Sequence, residues 1–190
     1  MICKPEAVAD LYRRCQGIAA FVFDVDGVFT NGRIIYNSDH QETKLYDCHD
    51  GQGIKMARTA GWPTAIISAR ESEAIRYRAS ELKIDTLYLG RYDKLAALEA
   101  LLEAHQLAAG QVCFVGDDLP DIPVLQRVGL PVAVQNAAWQ VKAATPFHSR
   151  RPGGRGALRE IVEFILHAQG RLETVLQAVV PQAISEQGGS

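Results

Sequence analysis

The sequence predicts an α/β fold in which a doubly wound parallel sheet is wrapped by helices. Two observations carry that expectation. Short apolar runs alternate with helix-like segments along most of the chain, the βαβα rhythm of parallel strands joined by crossover helices. Several of those runs are followed at once by a polar, chemistry-bearing residue, and a Rossmann-like sheet binds its ligand there, beyond the carboxyl ends of its strands.

Taken in order, Phe21-Val22-Phe23 runs into Asp24-Val25-Asp26-Gly27 and reads as a buried strand ending in a loop. RIIY and TKLYD then flank the polar stretch NSDHQE, which reads as a β-hairpin insertion within about residues 32–48. GIKMARTAG follows as helix, with Gly61 and Pro63 as its stop signal. TAIIS and TLYLG are strand-like runs separated by the helical SEAIRYRASEL. In KLAALEALLEAHQL, Leu95, Leu98 and Leu102 fall at i, i+3 and i+7 and form one apolar helix face. VCFVG, DIPVLQRVG, PVAV and ALREIVEFILHAQG complete the alternation. No internal repeat or low-complexity linker interrupts it. Past about Gly170 the pattern fades towards SEQGGS, so residues 1–172 are expected to form a single domain and 173–190 a flexible tail.

Composition narrows the function. A chain of 190 residues, 47% hydrophobic and 22% charged, has room for one substantial core and little for a second. Its formal charge of −2 arises from mixed signs spread along the sequence, which argues against nucleic acid or a membrane surface as the main partner. A small-molecule ligand is expected. Cys3, Cys15, Cys48 and Cys113 show neither a C-x-x-C pair nor a disulfide-like cluster, which suits a reducing cytoplasm. The opening MICKPEAVADLYRRCQG lacks the apolar core of a signal peptide, and no segment approaches membrane-spanning length, so a soluble protein that is not exported is expected.

The chemistry starts from Asp24 and Asp26. Residues two apart in an extended chain face the same side, and neighbouring carboxylates in a partly desolvated site cannot both ionise cheaply. Either one carries a proton or a cation lies between them; the plain alternative is a strand followed by an Asp-Gly turn. The other strand ends favour chemistry. Ser68 and Arg70 follow TAII, Lys94 precedes the leucine-rich helix, and Asp117, Asp118 and Asp121 follow VCFVG. That many carboxylates at one edge require a divalent cation, and oxygen-only ligands favour Mg²⁺. Such a site suits phosphoryl transfer, in which the protein positions and neutralises the oxygens of the moving group. Asp24 attacks phosphorus, Lys94 offsets charge and Ser68 donates a hydrogen bond to a phosphoryl oxygen. Asp26 protonates the leaving alkoxide and then deprotonates the attacking water. Arg70 is expected in the cleft, on phosphate or a substrate carboxylate. Asp118 and Asp121 either back the metal ligands or cap the next helix.

The ordered segments DVDGV, IISAR, RYDKL and GDDLPD resemble the four motifs of the haloacid dehalogenase-like phosphatases. TNGRIIY, DGQGI, VGDDLPDIPVL, VGLPVAV, GGRGALREI and LHAQGRL further resemble the 3-deoxy-D-manno-octulosonate 8-phosphate phosphatases of lipopolysaccharide synthesis, over Ile18 to Leu172. The resemblance implies a haloacid dehalogenase-like fold without a cap domain. It implies Mg²⁺-dependent hydrolysis of the sugar acid phosphate to 3-deoxy-D-manno-octulosonate and inorganic phosphate. It also implies a cytoplasmic homotetramer in which hairpins associate and a neighbouring subunit completes each pocket. By motif match Asp24 is the nucleophile and Asp26 the acid/base, while Asp24, Asp117 and the Asp26 carbonyl hold the metal. Arg151 and Arg155 close over an anionic substrate in this reading, and Thr30 and Arg78 stand with them as candidate substrate contacts.

Two positions depart from the family pattern: His49 stands where Arg often precedes the aspartate, and Ala69 where Gly is commoner. Neither touches the four motifs. Three rival readings remain to be weighed. A phosphate-accepting receiver needs an acceptor aspartate at its third strand, and Leu87 to Tyr92 offer none. A silent oligomeric partner predicts eroded motif residues, and none is eroded. Within the phosphatases, 2-keto-3-deoxynononate 9-phosphate is the rival substrate, being another anionic 2-keto-3-deoxy sugar acid.

Overall fold

The computed structural model describes residues 1–180. A first helix, α1 (Val8–Gln16), leads into β1 (Ala20–Phe23). A short hairpin of β2 (Ile35–Tyr36) and β3 (Glu42–Thr43) follows, and then α2 (Cys48–Thr59). Next come β4 (Thr64–Ile67), α3 (Glu73–Leu82), β5 (Thr86–Tyr88), α4 (Lys94–His105), β6 (Val112–Gly116), α5 (Ile122–Leu125) and β7 (Leu130–Ala133). The helices α6 (Trp139–Ala144), α7 (Ala157–Ala168) and α8 (Leu172–Val179) complete the described chain.

Five strands form one parallel sheet in the order β5-β4-β1-β6-β7. The order steps outwards from β1 in one direction and then in the other, so right-handed crossovers place α2 and α3 on one face and α4 and α5 on the opposite one, as the doubly wound expectation requires. Helix α2 packs on α3, α7 and α8, while α4 and α6 both pack on α5. Every residue of β1, β4, β6 and β7 is buried, which is why these strands read as continuous apolar runs rather than alternating ones. Strand β1 lies at the centre, with Phe23 opposite Ile66 and Val115. The residues that follow these three strands therefore emerge side by side.

Local signals set the helix starts. Asp47, Ser72 and Asp93 each accept a backbone N–H of the helix they precede, which satisfies donors that otherwise lack a partner. The buried Asp50 does the same at a distance, accepting the N–H of Gly156 at 3.0 Å and of Leu158 at 2.8 Å. It thereby fastens the start of α7 to α2, although burial raises its pKa to about 6.

Three features differ from the sequence expectation. The hairpin pairs only Ile35 with Thr43 and Tyr36 with Glu42. The side chain of Asn37 accepts the N–H groups of Asp39 and Gln41 and closes the turn, while Lys44 leaves the strand and heads into the protein. Helices α1 and α6 occupy segments for which no element is expected, and α1 buries Leu11 and Cys15. The flexible tail expected from residue 173 is corrected as far as Val179. Leu172, Val175, Leu176 and Val179 fall at i, i+3, i+4 and i+7, and this apolar stripe packs on the core with Val175 buried. Residues 181–190, the rest of that expected tail, lie outside the described residues.

Candidate active site

At the end of β1 the backbone N–H of Asp24 donates to the carbonyl of Val115 at 3.0 Å, which holds the carboxylate beside the end of β6. The chain then turns through Val25–Phe29, where Gly27 adopts φ +88°. A Cβ at Gly27 would stand 2.0 Å from Asp117 Oδ2. Only glycine supplies both the positive φ and the room for that carboxylate. Thr30, buried below the turn, accepts the N–H groups of Gly27 at 3.4 Å and Gly32 at 3.2 Å. Its hydroxyl braces the loop.

Lys94 reaches the same point from the start of α4. Its side chain is 2% exposed, and its ammonium lies 2.8 Å from Asp24 Oδ2 and 2.7 Å from Asp121 Oδ1. The two carboxylates outweigh the burial that would otherwise discharge it, and its pKa is raised. Asp121 uses its other oxygen to accept the N–H groups of Asp117 at 2.9 Å and Asp118 at 3.2 Å. Both of its oxygens are thus engaged in holding Lys94 and the loop after β6. Asp118 is exposed and its side chain accepts the N–H of Leu119.

Oxygens of Asp24, Asp117 and Asp121 lie within 4.8 Å of one another. Asp24 Oδ1 and Asp117 Oδ1 are buried and have no hydrogen-bond partner. Burial, then the charge of Asp121, pushes Asp24 up to about 7 against the pull of Lys94. Burial, then the charges of Asp24 and Asp121, pushes Asp117 up to about 8. Two unpartnered carboxylate oxygens that burial and mutual repulsion drive towards protonation are what a hard divalent cation needs. These residues fit such an ion. A second set of metal-capable atoms, on Asp47, Cys48 and His49, sits at the surface, where Asp47 Oδ1 already accepts the backbone N–H and faces the ring of His49.

The carboxylate of Asp26 is met by cations from the hairpin and from the end of β4. Lys44, only 1% exposed, places its ammonium 2.6 Å from Asp26 Oδ1 and 2.5 Å from Glu42 Oε1. Arg70 Nε lies 3.6 Å from Asp26 Oδ2, and its guanidinium also meets Glu42 at 3.2 Å and the Tyr36 hydroxyl at 3.3 Å. Sequence reasoning missed Glu42 and Lys44. They stand two apart in TKLYD and its preceding glutamate, a pattern with no chemistry until the hairpin folds against the loop after β1.

The remaining sequence candidates divide. Ser68 is buried at the end of β4, and its Oγ accepts the Arg70 N–H at 3.2 Å. Arg78 pairs with Glu81 and covers the Tyr46 ring at 5.8 Å, close to the hairpin base. Arg151 lies further out, its guanidinium 3.5 Å from the Arg155 carbonyl. Arg155 is exposed beside a cleft shared with Asn31, Asp47 and His49. The structure therefore brings Asp24, Asp26, Ser68, Arg70, Lys94 and Asp117 to one sheet edge and does not bring Arg151 or Arg155 into contact with them.

A parallel sheet whose central strand ends in this carboxylate–lysine cluster defines the class of haloacid dehalogenase-like hydrolases, and a family model of that description matches residues 90–151. The chain is 38% identical over 171 residues to the 3-deoxy-D-manno-octulosonate 8-phosphate phosphatase of Escherichia coli, covering 90% of this chain and 91% of that protein. It belongs to the 3-deoxy-D-manno-octulosonate 8-phosphate phosphatase family. Among solved structures, a probable YrbI family phosphatase of Pseudomonas syringae pv. phaseolica is 48% identical with a TM-score of 0.87, covering 90% of this chain and 97% of that one. The Moraxella catarrhalis 3-deoxy-D-manno-octulosonate 8-phosphate phosphatase, solved with magnesium, phosphate and the sugar acid, is 34% identical with a TM-score of 0.87, covering 90% and 98%.

Proposed function

We infer that this chain hydrolyses 3-deoxy-D-manno-octulosonate 8-phosphate to the free sugar acid and inorganic phosphate with Mg²⁺, as a step of lipopolysaccharide biosynthesis. The single observation that carries the chemistry is the buried Asp24, bridged to Asp121 by Lys94 and facing Asp117. The family supplies the substrate.

In this reading Asp24 is the nucleophile and attacks phosphorus as the bond to the sugar oxygen breaks. Asp26 delivers a proton to that oxygen, and later takes one from the water that cleaves the aspartyl-phosphate. Lys94 and Ser68 meet the charge on the phosphoryl oxygens. Asp24, Asp117 and the Asp26 carbonyl would hold Mg²⁺, whose positive charge would let an anionic nucleophile approach an anionic phosphate. Arg70 is the assigned contact for the substrate's own negative charge. Thr30 and Arg78 act through the loop and the hairpin base, and Arg151 and Arg155 receive the substrate only if their loop moves inwards.

The proposal extends to a cytoplasmic homotetramer whose hairpins complete neighbouring pockets, with the catalytic domain running through α8 to Val179. Ile34, Ile35, Tyr36 and Leu45 are all exposed on or beside the hairpin, an apolar cluster that a partner subunit would cover. Among the described residues all four cysteines are free, and no helix is long and apolar enough to cross a membrane.

The test is phosphate release from matched concentrations of the eight-carbon ester, 2-keto-3-deoxynononate 9-phosphate and hexose phosphates, each with and without Mg²⁺. Strong Mg²⁺-dependent preference for the eight-carbon ester is expected. Preference for the nine-carbon ester keeps the mechanism and removes the substrate assignment.

A further inference from the structure

Lys44 is the least accessible charged side chain on the hairpin side of the site, and nothing in the motif pattern accounts for it. A buried lysine costs several kcal/mol in desolvation unless carboxylates compensate it. Here two do so: Asp26 Oδ1 at 2.6 Å and Glu42 Oε1 at 2.5 Å. Glu42 and Lys44 belong to the hairpin and Asp26 to the loop after β1, so this pair of contacts ties the insertion to the sheet edge. The consequence for Asp26 is asymmetric. Oδ1 is held by the ammonium, whereas Oδ2 is buried without a hydrogen-bond partner, and the equally unpartnered Arg70 Nε lies 3.6 Å away.

We propose that Lys44 is a positioning residue for Asp26: by occupying Oδ1 it fixes the carboxyl rotamer and leaves Oδ2 as the oxygen through which the proton is transferred. An oxygen that already accepts from an ammonium is a poor place for a second proton, so the acid form carries its hydrogen on Oδ2. When the phosphorus–oxygen bond breaks, the electron pair goes to the sugar oxygen and the Oδ2 proton follows it, leaving Asp26 ionised beside Lys44. Arg70 Nε, also without a hydrogen-bond partner, stands beside the same Oδ2 at 3.6 Å. The hairpin thereby becomes part of the proton-transfer geometry. This inference rests on the reading of Asp26 as acid/base.

The experiment compares kcat on 3-deoxy-D-manno-octulosonate 8-phosphate, whose alkoxide leaving group needs a proton, with kcat on 4-nitrophenyl phosphate, whose leaving group needs none. Lys44→Met should lower kcat on the sugar ester at least ~10-fold more than on the aryl ester, a part of the roughly 10²–10⁴-fold that general acid catalysis supplies. KM should change little, and Lys44→Arg should recover part of the loss. Equal losses on the two esters, or no loss on either, overturn the proposal. Asp26→Asn is the control that separates the two failures. If it shows no leaving-group discrimination, the acid/base reading fails and takes this inference with it; if it discriminates and Lys44→Met does not, only the role of Lys44 is lost. Should Lys44→Met fail to fold, Glu42→Gln carries the test, because it removes one of the two anchors of Lys44. A smaller discrimination in the same direction is then expected, and equal losses again overturn the proposal.

Discussion

The sheet edge and the hairpin lie against each other but are built on opposite principles. Asp24, Ser68 and Asp117 each follow a buried strand of the central sheet, and their positions are inherited from a core of phenylalanines, isoleucines and valines. The hairpin has two paired residues on each strand, both exposed in β2, and is fastened to the site by Lys44, Glu42 and Arg70. Two-stranded ribbons of that size are not stable alone in water. In the proposed reading, attack on phosphorus thus rests on the rigid region, while what a sugar ester needs beyond it, a proton for its leaving group and a closed pocket, rests on a region that needs support from elsewhere. Disrupting each region should accordingly damage different parameters.

The largest effect is expected at the sheet edge. Asp24→Asn should reduce turnover by at least ~10³-fold, the scale on which loss of a nucleophile is felt, with an unchanged thermal unfolding profile in the metal-free protein. Residual activity near wild type in a pure sample would remove Asp24 as nucleophile. Gly27→Ala comes next. It forces a Cβ to within 2.0 Å of Asp117 Oδ2 at φ +88°, so roughly 1–3 kcal/mol of strain and a clear rise in the Mg²⁺ concentration needed for half-maximal activity are expected. Retained Mg²⁺ dependence would place Asp117 outside the metal site.

The pH response sharpens the same region. Asp24 and Asp117 are raised from 3.8 to about 7 and about 8 in the metal-free protein, so the folded state holds more protons than the unfolded state across that window. Stability of the metal-free protein should therefore fall as pH rises from about 4 to about 8, because folding then confines carboxylates that have lost their protons. Mg²⁺ should reverse the trend by replacing those protons. Thermal melts from pH 5 to 8 with and without Mg²⁺ read both halves, and parallel melts would dissociate the two aspartates from the ion.

On the hairpin, Ile35→Ser with Tyr36→Ser should shift the oligomer towards smaller species in size-exclusion chromatography. It should also lower activity several-fold on the sugar ester, while 4-nitrophenyl phosphate hydrolysis stays within about 2-fold. Equal losses on both esters would count against a pocket shared between subunits. The smallest effect belongs to α8. Val175→Ala should cost about 1–2 kcal/mol of stability without altering either ester's KM, and a changed KM would link this helix to the pocket.

The same contrast explains what could be read in the amino-acid sequence. Asp24, Ser68, Lys94 and Asp117 were legible because each adjoins an apolar run or helix start, and the parallel-sheet rule gathers such positions in space. Asp121 was visible as a carboxylate, but its two-handed hold on Lys94 and the Asp117 loop depends on a 27-residue separation that carries no local signal. Lys44 and Glu42 were hidden for a related reason. Their partners lie across a hairpin whose sequence shows polarity and turn residues but not the direction in which it folds. Helix α8 is different, since Leu172, Val175, Leu176 and Val179 carry a helical period that the polar end of the chain obscures.

The covalent step is the centre of this account, and rapid quenching with ³²P-labelled 3-deoxy-D-manno-octulosonate 8-phosphate in the presence of Mg²⁺ addresses it directly. The account predicts radiolabelled protein in the first turnover, released by hydroxylamine as an acyl phosphate should be, and absent from Asp24→Asn. Label that persists in Asp24→Asn, or phosphate released by the wild type with no labelled protein at any time, would contradict it.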